Sequence, residues 1–423
     1  MRRLAITAAL GAALTLLLAA QASASSTART GIQDDAWLRF GPGTLDKRLD
    51  TLDGIGVKLV RFTVVWSEVA RTKPTNPRNP DDPAYDWAQF DAVLNGLRAH
   101  GMTALVTLWG APRWSNGGRA QNWLPKKGFG DFAFAAAKRY PWIHLWTIWN
   151  EPNTAIFSRP ISPKLYVRQV LNPGYASLHR ASRRNVVAGG VTSPRKTASG
   201  MSPSVFMAGM RAARARLDAY AANPYPSTAK ETPFSDPCSF CKTLTMAHLP
   251  QIRALVTRLF GHKPLWLTEY GVQTNPPDRF SGVSPARQAT RISQAALRVW
   301  EQPGTTILIQ FLVQDEPSVG GWQSGLFTAR AKPKPARSAF AVPLAQMSRH
   351  GTRTVLWGQI RPGNGRRAFH LQRWTGHRWA NVGGVKLTGR SGTLRAVVTA
   401  KQGTKVRVRP TRVAFTSPTL VVS

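Results

Sequence analysis

Apolar positions along this chain fall into two textures. Up to residue 346, short runs that are apolar almost throughout alternate with longer stretches of helical period. The runs lie at residues 57–66, 102–109, 142–148, 185–190, 218–223, 265–270 and 305–313, with a shorter one at 30–35. A brief apolar run rich in β-branched and aromatic residues predicts a strand buried on both faces, which belongs to a parallel sheet. Helical spacing follows at 45–52, 87–100, 129–139, 163–180, 204–217, 250–260 and 286–300, and residues 332–346 predict a closing helix. The stretch 163–180 is expected to break at Asn172-Pro173-Gly174. Eight strands, each followed by a helix or by helix-sized space, predict a (β/α)8 TIM barrel.

Beyond residue 349 the period changes to two. Residues 354–360, 368–374 and 405–409 alternate apolar with polar, and Gly-rich turns separate them. That pattern predicts a small C-terminal all-β, sandwich-like domain. At roughly 60–70 residues it is small enough to be marginal alone, so it should lean on the barrel. The expected class is α/β, with a barrel over 25–348 and a basic β domain and tail over 349–423.

The first 24 residues stand apart. Arg2 and Arg3 precede an apolar run over 4–20, and Ala22-Ser23-Ala24 forms a small-residue cleavage site. This reads as a secretory signal, and no later stretch is long and apolar enough to span a bilayer. A secreted, extracellular product is expected, and one open to association with the cell wall. In that setting the two cysteines, Cys238 and Cys241, read as a loop disulfide. A structural zinc site needs four ligands, and there is no second pair.

Charge changes the picture of partners. The formal net charge is +37, every acidic residue precedes Pro317, and residues 350–423 hold fourteen Lys and Arg. Such a tail prefers polyanions, and for an exported protein these are anionic cell-wall polymers or acidic polysaccharides. A compositional bias of an arginine-rich source gives the same charge, and no motif supports specific nucleic-acid binding. The chain also has fifteen Trp, an excess that suits flat contact with sugars as well as core packing.

Candidate chemistry lies at two strand ends. Trp149-Asn150-Glu151-Pro152-Asn153 ends the run over 142–148, and Thr268-Glu269-Tyr270-Gly271 ends the run over 265–270. Pro152 and Gly271 each stop the strand just after a glutamate. Two carboxylates delivered by separate strands to one end of a barrel suit glycosidic-bond cleavage. Taken singly, a strand-end glutamate is more often a solvated rim residue; the two together, each in its own motif, point to chemistry. Arg61, inside the run over 57–66, either supports one glutamate or pairs with Asp34 or Asp35. Trp109, Trp149, Trp322 and Tyr225 are candidates to line the site, and each tryptophan is equally consistent with packing.

On these motifs the barrel resembles the retaining glycoside hydrolases of clan A, most closely families 39 and 5, over about residues 32–341. The resemblance implies Asn-Glu-Pro at the end of strand 4 and a glutamate at the end of strand 7. Glu151 would be the acid/base and Glu269 the nucleophile. Asn150 would bind the sugar 2-hydroxyl, and Arg61 and Tyr225 would support Glu269. Trp109, Trp149 and Trp322 would contact a poly- or oligosaccharide. No metal or organic cofactor is implied. One departure is Asn223, which stands where many relatives carry His. The alternative is a non-catalytic carbohydrate-binding or wall-adhesion protein on the same barrel.

Overall fold

The computed structural model describes residues 28–195, 199–237 and 242–423. The expected signal sequence and the Cys238–Cys241 pairing lie outside the described residues.

Eight parallel strands close into a barrel: β1 (Arg29–Gln33), β2 (Leu59–Val65), β3 (Thr103–Trp109), β4 (Leu145–Ile148), β5 (Val186–Thr192), β6 (Ala219–Ala222), β7 (Leu265–Tyr270) and β8 (Thr305–Phe311). Closure is made by β1, whose Gln33 lies opposite Arg61 of β2 on one side and Phe311 of β8 on the other. The outer helices are α1 (Leu45–Gly54), α2 (Ala88–Ala99), α3 (Phe129–Arg139), α4 (Asn172–Ala181), α5 (Pro203–Ala212), α6 (Leu249–Phe260), α7 (Pro285–Trp300) and α8 (Pro335–Ala341). Their apolar faces and the outward strand residues form one large core, which includes Phe62, Val106, Trp146 and Leu267.

The interior of the barrel is layered by the period of two. Leu59, Leu105, Ala219, Ala221, Trp266, Ile307 and Ile309 pack together as a separate apolar cluster. Continuing the alternation toward the C-terminal strand ends reaches Arg61, Thr107, Asn223 and Thr268. The lower layer is therefore an apolar plug and the next layer is polar, which sets functional groups at the C-terminal mouth.

Two helical expectations need correction. The stretch 163–180 does not break: a π-helical turn, Tyr166–Leu171, runs directly into α4. Pro173 follows directly on that π-turn, whose altered hydrogen-bond spacing accommodates the missing N–H within a continuous helix. The helix expected over 332–346 stops at Ala341. Pro343 disfavours helical backbone at Val342, and the chain then pairs as a strand.

That strand, β9 (Leu344–His350), straddles the expected domain boundary and pairs antiparallel with β10 (Arg353–Gln359). The remaining strands are β11 (Ala368–Trp374), β12 (Trp379–Asn381), β13 (Lys386–Leu387), β14 (Thr393–Thr399), β15 (Lys405–Pro410) and β16 (Leu420–Val421). They make a three-stranded sheet, β14-β10-β9, and a second sheet, β12-β11-β15-β16, with β13 also on β11. Leu356, Leu371, Val398, Val406 and Val408 fill the space between the sheets. The β domain meets the barrel through Ala345 and Trp357, which pack on Ala296 and Leu297 of α7.

Candidate active site

Arg61 organises the mouth of the barrel. It is fully buried on β2, and its guanidinium touches four other strands or strand ends. Its Nε–H donates to Thr107 Oγ1 at 2.9 Å on β3. Nη1 donates to Glu269 Oε1, to Gln33 Oε1 and, at 3.2 Å, to the Thr268 carbonyl. Nη2 donates to Asn150 Oδ1 at 3.0 Å. Of the two partners open to Arg61 in the sequence, the structure gives it Glu269 as its ion pair. Asp34 instead accepts the backbone N–H groups of Trp37, Val313 and Gln314, and Asp35 accepts that of Thr63.

Glu269, at the end of β7, has a partner on each oxygen. Arg61 holds Oε1, and Tyr225 O–H donates to Oε2 at 2.8 Å. Burial, then the Glu269 charge, pushes the Tyr225 hydroxyl well above its ordinary pKa, which keeps it a donor.

Glu151 sits in a different environment. Its backbone is in the left-handed region (φ 37°), as is that of Trp149 (φ 69°), so the chain folds sharply away after β4. The Glu151 N–H is tied to the Val191 carbonyl at 3.0 Å, and the Asn153 side chain accepts from Ser193 N–H and donates to the Ser193 and Met201 carbonyls. Glu151 Oε1 accepts from Asn223 Nδ2 at 3.1 Å. Glu151 is half-buried as a residue, but its carboxyl is surrounded by protein atoms and its pKa is pushed up to about 8. Burial is the larger cause and the Glu269 charge the second, while Asn223, Ser193 and Arg61 act in the opposite direction. The two carboxyl groups thus share one site, one supplied with donors and a cation, the other favouring its proton.

The aromatic candidates separate. Trp322, on the loop after β8, is 36% exposed and lies against Tyr225 with ring centroids 4.7 Å apart. Phe311 meets both rings edge-on and completes that wall. Trp109 is half-buried and donates to the Phe157 carbonyl at 3.3 Å. Trp149 is fully buried, donates to the same carbonyl at 2.8 Å and packs on Phe129 of α3 and on Trp109. It offers no face to a ligand, so its expected sugar contact is corrected to a core role.

Two residues join the site that the sequence reading did not select. Asn223 is noticed in the sequence only as a departure, yet it is the side chain that holds Glu151. Thr268 fixes it in turn, donating from Oγ1 to Asn223 Oδ1 at 2.8 Å. The position of Thr268 beside Glu269 was the available signal. Among the described residues no group of three His, Cys, Asp or Glu side chains can hold a metal ion. Among them, too, no helix is long and apolar enough to cross a membrane.

No family model matches the sequence, and no curated protein matches it. Solved structures do match. A monomeric beta-xylosidase from Caulobacter crescentus is similar with a TM-score of 0.57 at 13% identity, covering 91% of this chain and 96% of that one. The GH39 enzyme from Xanthomonas axonopodis pv. citri gives 0.56 at 13% identity, covering 96% of each chain. GH5_18 from Streptomyces cattleya, in complex with GlcNAc, gives 0.52 at 15% identity, over 74% of this chain and 79% of that one. The first two span the β domain as well as the barrel. The resemblance to the clan A glycoside hydrolases, families 39 and 5, therefore holds at the level of fold.

Proposed function

We propose that this chain is an exported retaining glycoside hydrolase that cleaves β-linked glycans by double displacement. The observation that carries the reading is the pairing of two buried carboxyl groups in unlike environments at one barrel mouth. The Glu269 carboxylate, held in place by Arg61 and Tyr225, attacks the anomeric carbon. Glu151, with its pKa raised to about 8, gives its proton to the departing glycosidic oxygen. The product is a glycosyl ester on Glu269 and a free alcohol. Glu151, now ionised, takes a proton from water as the water oxygen attacks the same carbon and releases Glu269. Asn150 uses its Oδ1 on Arg61, which leaves its amide N–H groups to donate to the sugar 2-hydroxyl. Trp322 and Trp109 bound the site where sugar rings would lie.

The test is a screen of the mature protein on aryl β-glycosides and on plant and microbial polysaccharides, with two variants alongside. Glu269→Ala should abolish turnover of every substrate. Glu151→Ala should slow substrates with poor leaving groups by ~10²–10⁴-fold and activated aryl glycosides far less. Equal loss on both classes would remove the assigned roles. Sugar binding without hydrolysis in the wild type would favour a non-catalytic binding barrel.

A further inference from the structure

The sheet β12-β11-β15-β16 has one face in the core of the β domain and one face outside. Phe369 and Leu371 of β11 and Val406 and Val408 of β15 point inward. The alternate residues therefore point outward: His370, Gln372 and Trp374 on β11, and Lys405, Arg407 and Arg409 on β15. Register sets them side by side, with His370 opposite Arg409 and Gln372 opposite Arg407. On the other side β12 places Asn381 opposite Gln372 and Trp379 opposite Trp374.

The chemistry of this face is one-sided. Its three cations recur at every second residue of one strand, a spacing of ~7 Å. Among the described residues none of the three pairs with a carboxylate, and no acidic residue exists in the sequence beyond Glu316. Arg407 is held in place: its Nε–H donates to Gln372 Oε1 at 2.8 Å, and its guanidinium lies 4.2 Å from the centre of the Trp379 ring. Gln372 donates in turn to Asn381 Oδ1 at 3.0 Å. The Trp374 and Trp379 rings meet edge-on at 5.5 Å, and both are part-exposed. An open groove of about 480 Å³ on this face is lined by His370, Gln372, Trp379, Asn381 and Arg409.

We propose that this outer face is a second glycan-binding site, separate from the barrel mouth, which holds a strand of carboxylated polysaccharide across Trp374, Trp379 and the Lys405-Arg407-Arg409 row. Planar guanidinium groups match carboxylates in two-point contact, and indole faces and side-chain amides match the apolar faces and hydroxyls of the sugars between them. Net charge alone attracts any polyanion. The preordered stack of Arg407 on Trp379, fixed by Gln372, adds a geometry that favours charge and ring together. The choice of a glycan over nucleic acid rests on the glycosidase reading of the barrel; the existence of an anion-and-ring site does not.

The experiment is titration calorimetry on the full mature chain carrying Glu269→Ala, so that no polymer is degraded. Polygalacturonate is compared with its methyl-esterified form, which has the same backbone without the charge, and with single-stranded DNA. Polygalacturonate should bind at least tenfold more tightly than either. Trp379→Ala and the exposed pair Lys405→Ala/Arg409→Ala should each weaken it at least tenfold with unchanged melting temperature. A charge-matched control, Arg366→Ala/Arg390→Ala, should weaken it less than threefold. Equal loss in the control would reduce the site to net charge and overturn the proposal. Equal binding of the esterified polymer, or tighter binding of DNA, would overturn the ligand class. The barrel reading is tested separately, because hydrolysis by the wild-type mouth does not enter this measurement.

Discussion

A carboxyl buried beside a second carboxylate holds its proton to higher pH, and Glu151 shows both causes. With its pKa near 8, the acid form persists through neutrality, and kcat/KM on substrates with poor leaving groups should fall as pH rises through about 8. Because burial outweighs the Glu269 charge, a carbon-13 NMR titration of Glu151 in Glu269→Gln should move its pKa down from that value yet leave it above the ordinary carboxylate range. A fall to the ordinary range would make the neighbouring charge the main cause. The same shift has a consequence for stability. A folded pKa raised above the unfolded value of 4.5 contributes stability that is complete below 4.5 and is lost as pH rises through 8. Glu151→Gln cannot ionise, so its melting temperature should gain on the wild type between about pH 5 and pH 9. A constant difference across that range would contradict the burial argument.

At the scale of elements, what matters is how each strand ends. Alternation along β4 points Leu145 and Thr147 into the barrel and, continued, would point Trp149 there as well. The left-handed backbone at Trp149 ends that alternation and turns the indole outward onto Phe129. Trp322 lies instead on a loop fixed by the buried Lys334, whose Nζ donates to Asp315 Oδ1 at 2.8 Å and to the Gln323 carbonyl at 3.1 Å. Trp149→Ala should therefore destabilise the fold by ~3–5 kcal/mol, read by denaturant unfolding. Trp322→Ala should leave stability nearly unchanged and raise KM by about 2- to 10-fold. The reverse assignment of effects would show that the indoles had been misplaced. The strands themselves were legible because parallel strands buried on both faces leave nearly unbroken apolar runs. Glu151, Glu269 and Asn150 stand out in the sequence because each lies at a strand end in a distinctive motif, whereas Arg61, inside β2, and Tyr225 are selected only through the family resemblance. Trp149 and Asn223 were not legible, since side-chain direction beyond a strand end depends on a φ angle or a cross-strand partner that no local pattern encodes. The end of α8 departs from the sequence pattern for a related reason: the period of 3.6 persists past Ala341, but Pro343 and pairing with β10 decide the backbone.

At the scale of the molecule, the question is whether barrel and β domain unfold as one body. The β domain is rich in cations and carries no acidic side chain, so self-repulsion works against its compact state. Its attachment combines an apolar contact with a buried arginine. Trp357 of β10 is 2% exposed and packs on Ala296 and Leu297 of α7 and on Trp300, with indole centroids 5.9 Å apart. Arg361, buried just past β10, donates its backbone N–H to the Ala341 carbonyl at the end of α8, and its guanidinium lies 4.4 Å from the Phe340 ring. The junction is therefore an apolar cluster of its own that both α7 and the β domain contribute to, and a cavity opened at Trp357 should be felt by both parts. Trp357→Ala should lower stability by ~3–5 kcal/mol while calorimetry still shows one transition, with barrel activity and β-domain structure lost together. Added salt should raise the melting temperature of both proteins by screening the cations of the β domain. A wild type that melts in two steps, the lower one without loss of activity, would show that the β domain is held as an appendage, and Trp357→Ala would then lower only that first step.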